Sequence, residues 1–121
     1  MVRDDLIEVA PERLVHLTTR GRRTGHPHTV ELWFAVSGGK VYLSHEGEET
    51  DWMKNIMKDS RVSFEIGGRD FTGKARYLKD HSEEAELAKT VLYEKYYGKE
   101  AREVIEDWFS LSRLLVIEQR G

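Results

Sequence analysis

Residues 28–45 read His-Thr-Val-Glu-Leu-Trp-Phe-Ala-Val-Ser-Gly-Gly-Lys-Val-Tyr-Leu-Ser-His, and this stretch decides the fold. Val30, Leu32, Phe34 and Val36 alternate with Glu31, Trp33 and Ala35, the period of two that sends one set to a buried sheet face. His28 to Val36 is therefore expected as one strand. Ser37-Gly38-Gly39-Lys40 supplies a tight turn, and Val41 to His45 returns antiparallel. Upstream, Arg13 to Thr19 reads as a first strand ending at Gly21. Downstream, Val62, Phe64 and Ile66 alternate again, Gly67-Gly68 turns, and Phe71 to Leu78 pairs back. Leu114 to Glu118 makes a last strand.

Helical spacing fills the gaps. Asp5 to Ala10 forms a short helix ended by Pro11, and Thr50 caps another from Asp51 to Lys58, with Asp51 at its positive end. Ser82 opens a third with Ala85, Ala88, Val91, Leu92 and Tyr96 on one face, broken by Gly98. Ala101 to Phe109 keeps helical spacing in a fourth. About six strands in mostly consecutive hairpins, with short helices at the N-terminus, mid-chain and C-terminus, describe a mainly β (β+α) antiparallel barrel in one domain, 1–121. So small a barrel has no deep interior cavity. A large ligand would sit on its outside, with a second subunit as the natural lid.

Composition narrows the classes. The net charge is −3, which argues against a general nucleic-acid binder. No run approaches the roughly 20 apolar residues of a membrane span, and the N-terminus lacks the apolar stretch of a signal peptide. Cysteine is absent, which excludes disulfides, thiolate nucleophiles and Cys-ligated metals and suits a cytoplasmic protein. Asn55 and Gln119 are the only side-chain amides while 34% of residues are charged, a usage that suggests a thermophilic source.

Against that acidic background, Arg13 to Val30 holds four arginines (Arg13, Arg20, Arg22, Arg23), three histidines and no carboxylate. A basic loop with two glycines suits an anion: backbone N–H groups line a concavity while guanidinium groups grip oxygens. Arg22 and Arg23 are the candidate clamps, with the Thr24 hydroxyl and the Gly25 amide as donors. The plainer alternative is a solvated hairpin loop. No Gly-Lys-Ser/Thr follows at the spacing of a nucleotide-triphosphate loop.

Other chemistries fit less well. His26 and His28 share a strand face, but no His-Glu-x-x-His helix exists, and no metal site is expected. His28 is better placed to assist anion binding. Ser44-His45-Glu46 is no triad, because adjacent strand residues point to opposite faces. Trp52 and Asn55, three apart on a helix, either pack or border a planar ring, with Asn55 fixing a loop or a ligand polar group. Tyr93, Tyr96 and Tyr97 read as helix-face packing, although a phenol near a hydride acceptor would be useful.

Three ordered motifs then carry a resemblance: Thr-Thr-x-Gly-Arg-Arg-Thr-Gly-x-Pro-His-Thr-x-x-Leu-Trp-Phe from Thr18, Leu-Ser-x-x-Gly from Leu43, and Asp-Trp-x-x-Asn-Ile from Asp51. Together, over residues 14 to 78, they resemble the deazaflavin-dependent nitroreductase family, whose members are split β-barrels related to the FMN-binding pyridoxamine-phosphate-oxidase-like proteins. The resemblance implies an oxidoreductase, usually a homodimer, that transfers a hydride from reduced coenzyme F420 to an electron-poor acceptor such as a quinone, enone or nitroaromatic. It also implies that Arg22, Arg23, Thr24 and Gly25 hold the coenzyme phosphate, that Trp33, Ser44 and Gly47 line the ring system, and that Trp52 and Asn55 form the accompanying helix. Two positions depart from the family. His28 stands where many members have arginine, and Glu31 where many have proline. A carboxylate at 31 beside a polyanionic coenzyme is unfavourable unless it accepts a ring N–H. FMN on the same barrel, or a non-catalytic carrier of a flavin-like ligand, are the rival readings.

Overall fold

The computed structural model describes residues 2–46, 51–79, 82–97 and 112–120. The chain runs α1 (Val2–Val9), β1 (Val15–Arg20), β2 (Pro27–Leu32), β3 (Phe34–Ser37), β4 (Lys40–Glu46), α2 (Asp51–Lys58), β5 (Arg61–Ile66), β6 (Arg69–Tyr77), α3 (Glu83–Tyr97) and β7 (Ser112–Arg120). The expected helix from Ala101 to Phe109, the break at Gly98, the cap Thr50 and the site residue Gly47 lie outside the described residues. The strands form one antiparallel sheet in the order β2-β1-β5-β6-β7-β4-β3. Its two edges, β2 and β3, are consecutive in the chain. The sheet curls so that the edges approach without pairing, which makes a split antiparallel barrel.

Two expectations are corrected. The strand from His28 to Val36 is two strands on opposite edges of the sheet, broken at Trp33. Alternation survives on both sides of the break, so periodicity alone could not reveal it. There are also seven strands in the sheet, and β7 inserts between β4 and β6 instead of extending a run of hairpins.

Alternation drives the layering elsewhere. Val15, Leu17 and Thr19 of β1, Val62, Phe64 and Ile66 of β5, and Phe71 and Ala75 of β6 face inward. With Phe34, Val41, Leu43, Leu115 and Ile117 they build the main core, closed by Leu6 and Val9 of α1 and Trp52, Met53 and Ile56 of α2. The turns demand glycine: Gly38 and Gly39 have φ of 59° and 77°, Gly67 and Gly68 of 58° and 83°. Gly73 has a different reason, since a Cβ there would lie 2.5 Å from the Glu118 carbonyl oxygen of the neighbouring strand.

A second core forms on the outer side of one half of the sheet. Ala85, Ala88, Leu92 and Tyr93 of α3 pack on Ala35, Tyr42, Leu114 and Val116. Ser82 caps α3 by accepting the Ala85 N–H at 3.1 Å. Glu84 latches the helix down, accepting from Lys40 at 3.2 Å, Tyr42 at 3.0 Å and Arg76 at 2.9 Å. Burial and this carboxylate push the Tyr42 phenol up to about 12.

The other half of the outer face, on β2, β1, β5 and β6, carries no helix among the described residues. Its outward side chains fall into three cross-strand rows set by the register. Glu31, His16, Glu65 and Asp70 make an acidic row around one histidine; Thr29, Thr18, Ser63 and Thr72 a hydroxyl row; Arg20, Arg61 and Lys74, with Pro27, a basic row.

Candidate anion site at the β1–β2 loop

The loop of residues 21–26 is closed on itself. The Gly21 N–H donates to the His26 carbonyl at 2.7 Å, and the Gly25 N–H to the Gly21 carbonyl at 2.8 Å. The Thr24 Oγ1 accepts the His26 N–H at 3.2 Å. Gly25 has φ 78°, a left-handed conformation that any side chain would strain. At Gly21 a Cβ would meet the His26 carbonyl oxygen at 3.0 Å and the His28 Nε2 at 3.1 Å. The imidazole of His28 thus rests against the loop at Gly21.

What fixes this loop in space is Asn55. It is only 1% exposed, and its Oδ1 accepts both the Arg22 backbone N–H at 3.1 Å and the Arg22 Nη1 at 3.0 Å. Its Nδ2 donates to the Thr19 Oγ1 at 3.2 Å, tying in the last turn of β1. Arg22 also reaches Asp51 Oδ1 at 3.3 Å. Arg22 is therefore a tether to α2, and the expected pair of equal clamps becomes a division of labour. The Gly25 amide is likewise spent inside the loop, so it is not a ligand donor in this conformation. Arg23 is exposed and makes no hydrogen bond or ion pair among the described residues, and the backbone N–H groups of Arg23 and Thr24 are unpaired in the same sense. With the Thr24 hydroxyl proton they are donors left open on an exposed loop.

Beside the loop opens a groove of about 700 Å³ over the hydroxyl and basic rows, lined by Thr18, Arg20, Gly25, Ser63, Thr72 and Lys74 among others. Arg61 on its rim is held by Asp59 through two bonds of 3.0 and 2.9 Å, which together with the nearby Arg20 bring the Asp59 carboxyl down to about 2. Lys74 has no acidic partner among the described residues. Sequence reasoning missed Ser63, Thr72 and Lys74, because only the β5–β6 register brings them beside the arginine loop.

Glu31 finds a partner that the sequence did not indicate. Its carboxylate lies 2.9 Å from His16 Nε2, and His16 Nδ1 lies 2.8 Å from Glu65. The hydrogen bond from Glu31 raises the His16 pKa, with Glu65 adding to it. On β2, Glu31 points outward, on the same sheet face as the groove but across the hydroxyl row from the basic row, and His28 points to the opposite side.

The remaining expected residues sit apart. Trp52 is 4% exposed within the main core, where it packs and offers almost no surface for a ring. Trp33 stands at the far end of β2 from the loop, about 20 Å along the strand. One of its faces is stacked on Tyr96, with ring centroids 4.3 Å apart and planes 6° from parallel. The Tyr96 hydroxyl accepts the Phe34 N–H at 3.0 Å and donates to the Arg13 carbonyl at 2.7 Å, which pins the chain where it crosses between sheet edges. Beside it, burial pushes the Lys95 amine down to about 8, its Nζ standing 3.6 Å from the centre of the Phe34 ring. Ser44 is half-buried on β4, opposite Leu114. Among the described residues no group of His, Asp or Glu could hold a metal ion.

The family model described as F420H(2)-dependent quinone reductase matches residues 6–104. The chain belongs to this family. It is an oxidoreductase that uses a deazaflavin or flavin cofactor. No curated protein matches the chain. Among solved structures, the conserved hypothetical protein Rv2991 from Mycobacterium tuberculosis is similar with a TM-score of 0.78 at 24% identity, over 100% of this chain and 82% of that one. An F420-H2 dependent reductase (FDR-A) is similar with a TM-score of 0.66 at 21% identity, over 87% and 93%. An FAD-binding protein from Mesorhizobium loti shares the fold with a TM-score of 0.71 at 16% identity, over 100% and 89%. No helix among the described residues is long and apolar enough to cross a membrane.

Proposed function

We propose that this family member binds reduced coenzyme F420 and transfers its hydride to an electron-poor conjugated acceptor: a quinone, an enone or a nitroaromatic. The observation that carries the reading is the division of labour in the loop. A buried Asn55 and a tethered Arg22 hold the frame, and the exposed Arg23, the Arg23 and Thr24 amides and the Thr24 hydroxyl remain as donors without a partner among the described residues. Such a frame fits a phosphodiester. His28, against the loop at Gly21, adds a ring N–H as a further donor. Arg20 and Lys74 extend the positive field along the groove, which suits a ligand with carboxylates beyond its phosphate better than FMN with a single terminal one.

When bound, a reduced deazaflavin supplies an obligate hydride, so the protein's task is to position the ring and hold the acceptor against it. β2 is a sheet edge, and its unpaired N–H and C=O groups between the loop and Trp33 can fix the polar edge of a planar ring. No proton donor is needed from the buried phenols. The Tyr96 hydroxyl is engaged with Arg13, and the Tyr42 hydroxyl with Glu84. Water at the open site delivers the proton.

Titration with F420 and with FMN, followed by tryptophan fluorescence, tests the cofactor. Saturable F420 binding that is weakened at high salt is the expected result. Micromolar FMN binding without an F420 response would overturn the assignment in favour of an FMN enzyme. Tight F420 binding without turnover on any acceptor would favour a carrier.

A further inference from the structure

We infer that Arg13 and Lys95, set around the Trp33–Tyr96 stack, form a subsite for an anionic group on the hydride acceptor, so that the acceptor is a planar conjugated compound bearing a carboxylate or a like anion. This rests on the proposed function, in which the coenzyme ring lies along β2 between the arginine loop and Trp33. Of the four arginines that mark residues 13–30, Arg13 alone is used neither by the loop nor by the groove. It is exposed, with its guanidinium carbon 5.1 Å from the centre of the Tyr96 ring, and it has no acidic partner among the described residues. Lys95 precedes Tyr96 at the C-terminal end of α3. Its Nζ lies 3.6 Å from the centre of the Phe34 ring and 5.4 Å from that of Tyr96.

The Lys95 Nζ is sealed from solvent and has no hydrogen-bond partner. A buried ammonium keeps its charge only where something compensates it. The ring faces of Phe34 and Tyr96 do so in part. Glu12 attracts the amine without forming an ion pair, while Arg13 repels it. A bound anion would face two cations that lack any other partner among the described residues, and it would offset the repulsion between them. The stack supplies the shape: Trp33 and Tyr96 lie 4.3 Å apart and 6° from parallel, a flat wall for a planar ring. Arg13 is exposed and makes the contact, and Lys95 acts through its charge. Hydride uptake leaves the acceptor one negative charge richer until water protonates it, so the same positive field favours the reduced product.

1,4-Naphthoquinone-2-sulfonate and menadione share a ring system and differ in charge, and the neutral quinone reports on folding and on the coenzyme site. In turnover with reduced F420, Arg13→Ala should raise KM for the sulfonate at least about tenfold while KM for menadione moves less than about twofold. In wild type, the ratio of kcat/KM for the sulfonate to that for menadione should fall as pH rises through about 8, where Lys95 loses its proton. In Lys95→Met the ratio should be low and independent of pH. Near that pH arginine and glutamate side chains and a sulfonate stay charged, and burial raises the Tyr96 phenol further out of range. Titration of the coenzyme cancels in the ratio. Equal effects of Arg13→Ala on both quinones, or a wild-type ratio that does not change with pH, would overturn the inference and leave the proposed function standing. If neither quinone is reduced, the proposed function fails instead, and calorimetric titration with naphthalene-2-sulfonate decides the subsite. Binding weakened about tenfold by Arg13→Ala would support it, and no binding by wild type would overturn it.

Discussion

Replacing Asn55 with alanine should damage two properties together. The substitution removes three hydrogen bonds from a side chain that is 1% exposed. Two are to neutral partners at about 1 kcal/mol each, and one is to a guanidinium at about 2 kcal/mol. Arg22 keeps 25% of its side chain exposed and regains some water, so the expected loss is about 3 kcal/mol. With a urea m-value near 1.5 kcal/mol/M, the unfolding midpoint should fall by about 2 M. Coenzyme affinity should fall as well, because the loop loses the anchor that aims the Arg23 and Thr24 donors. Asn55→Asp should recover part of both losses: the acceptor toward Arg22 remains, and the Thr19 hydroxyl can turn to donate. A midpoint shift below about 0.5 M with unchanged affinity would refute the assignment of Asn55 as the loop's anchor.

Three further outcomes follow from the same geometry. Arg23→Ala should weaken coenzyme binding by about 2 kcal/mol with no change in the unfolding midpoint, whereas Arg22→Ala should lower both, as calorimetric titration and urea melts of the two variants would show. The His16 pKa is raised by Glu31 first and Glu65 second, so the ion pairs stabilise the fold fully below the unfolded value near 6.5 and less as pH rises through the higher folded value. The stability gap between wild type and His16→Gln should thus be widest in mild acid and close toward alkaline pH; a gap independent of pH would contradict it. Gly73→Ala should cost more than about 2 kcal/mol, because its Cβ would lie 2.5 Å from a neighbouring carbonyl oxygen and strand β6 must shift to accept it; a thermal melt within a degree of wild type would argue otherwise.

Local chemistry was the most legible part of this chain. Asp51 to Lys58 is a helix with the bounds its charge placement indicated, and both glycine pairs turn hairpins with positive φ. Trp33 shows where reading along the chain stops. Alternation runs through it unbroken, but the chain leaves one sheet edge there and joins the other, held by a stack on Tyr96 that only the folded chain brings near. The arginine loop stands out as a charge cluster, yet sequence treats Arg22 and Arg23 as equals. Their roles separate only because α2 presents Asn55 and Asp51 to one of them. Glu31 illustrates the same limit, since its discomfort in sequence is relieved by His16 across the β1–β2 register.

The most direct test of the central claim is anaerobic turnover of reduced F420 with menadione, comparing wild type with Arg23→Ala. Protein-dependent reoxidation of the coenzyme, falling by about 10- to 100-fold in coenzyme efficiency for the variant, is the result expected of a phosphate held by that side chain. Reoxidation no faster than without protein, or a wild type that turns over reduced FMN and ignores reduced F420, would contradict it.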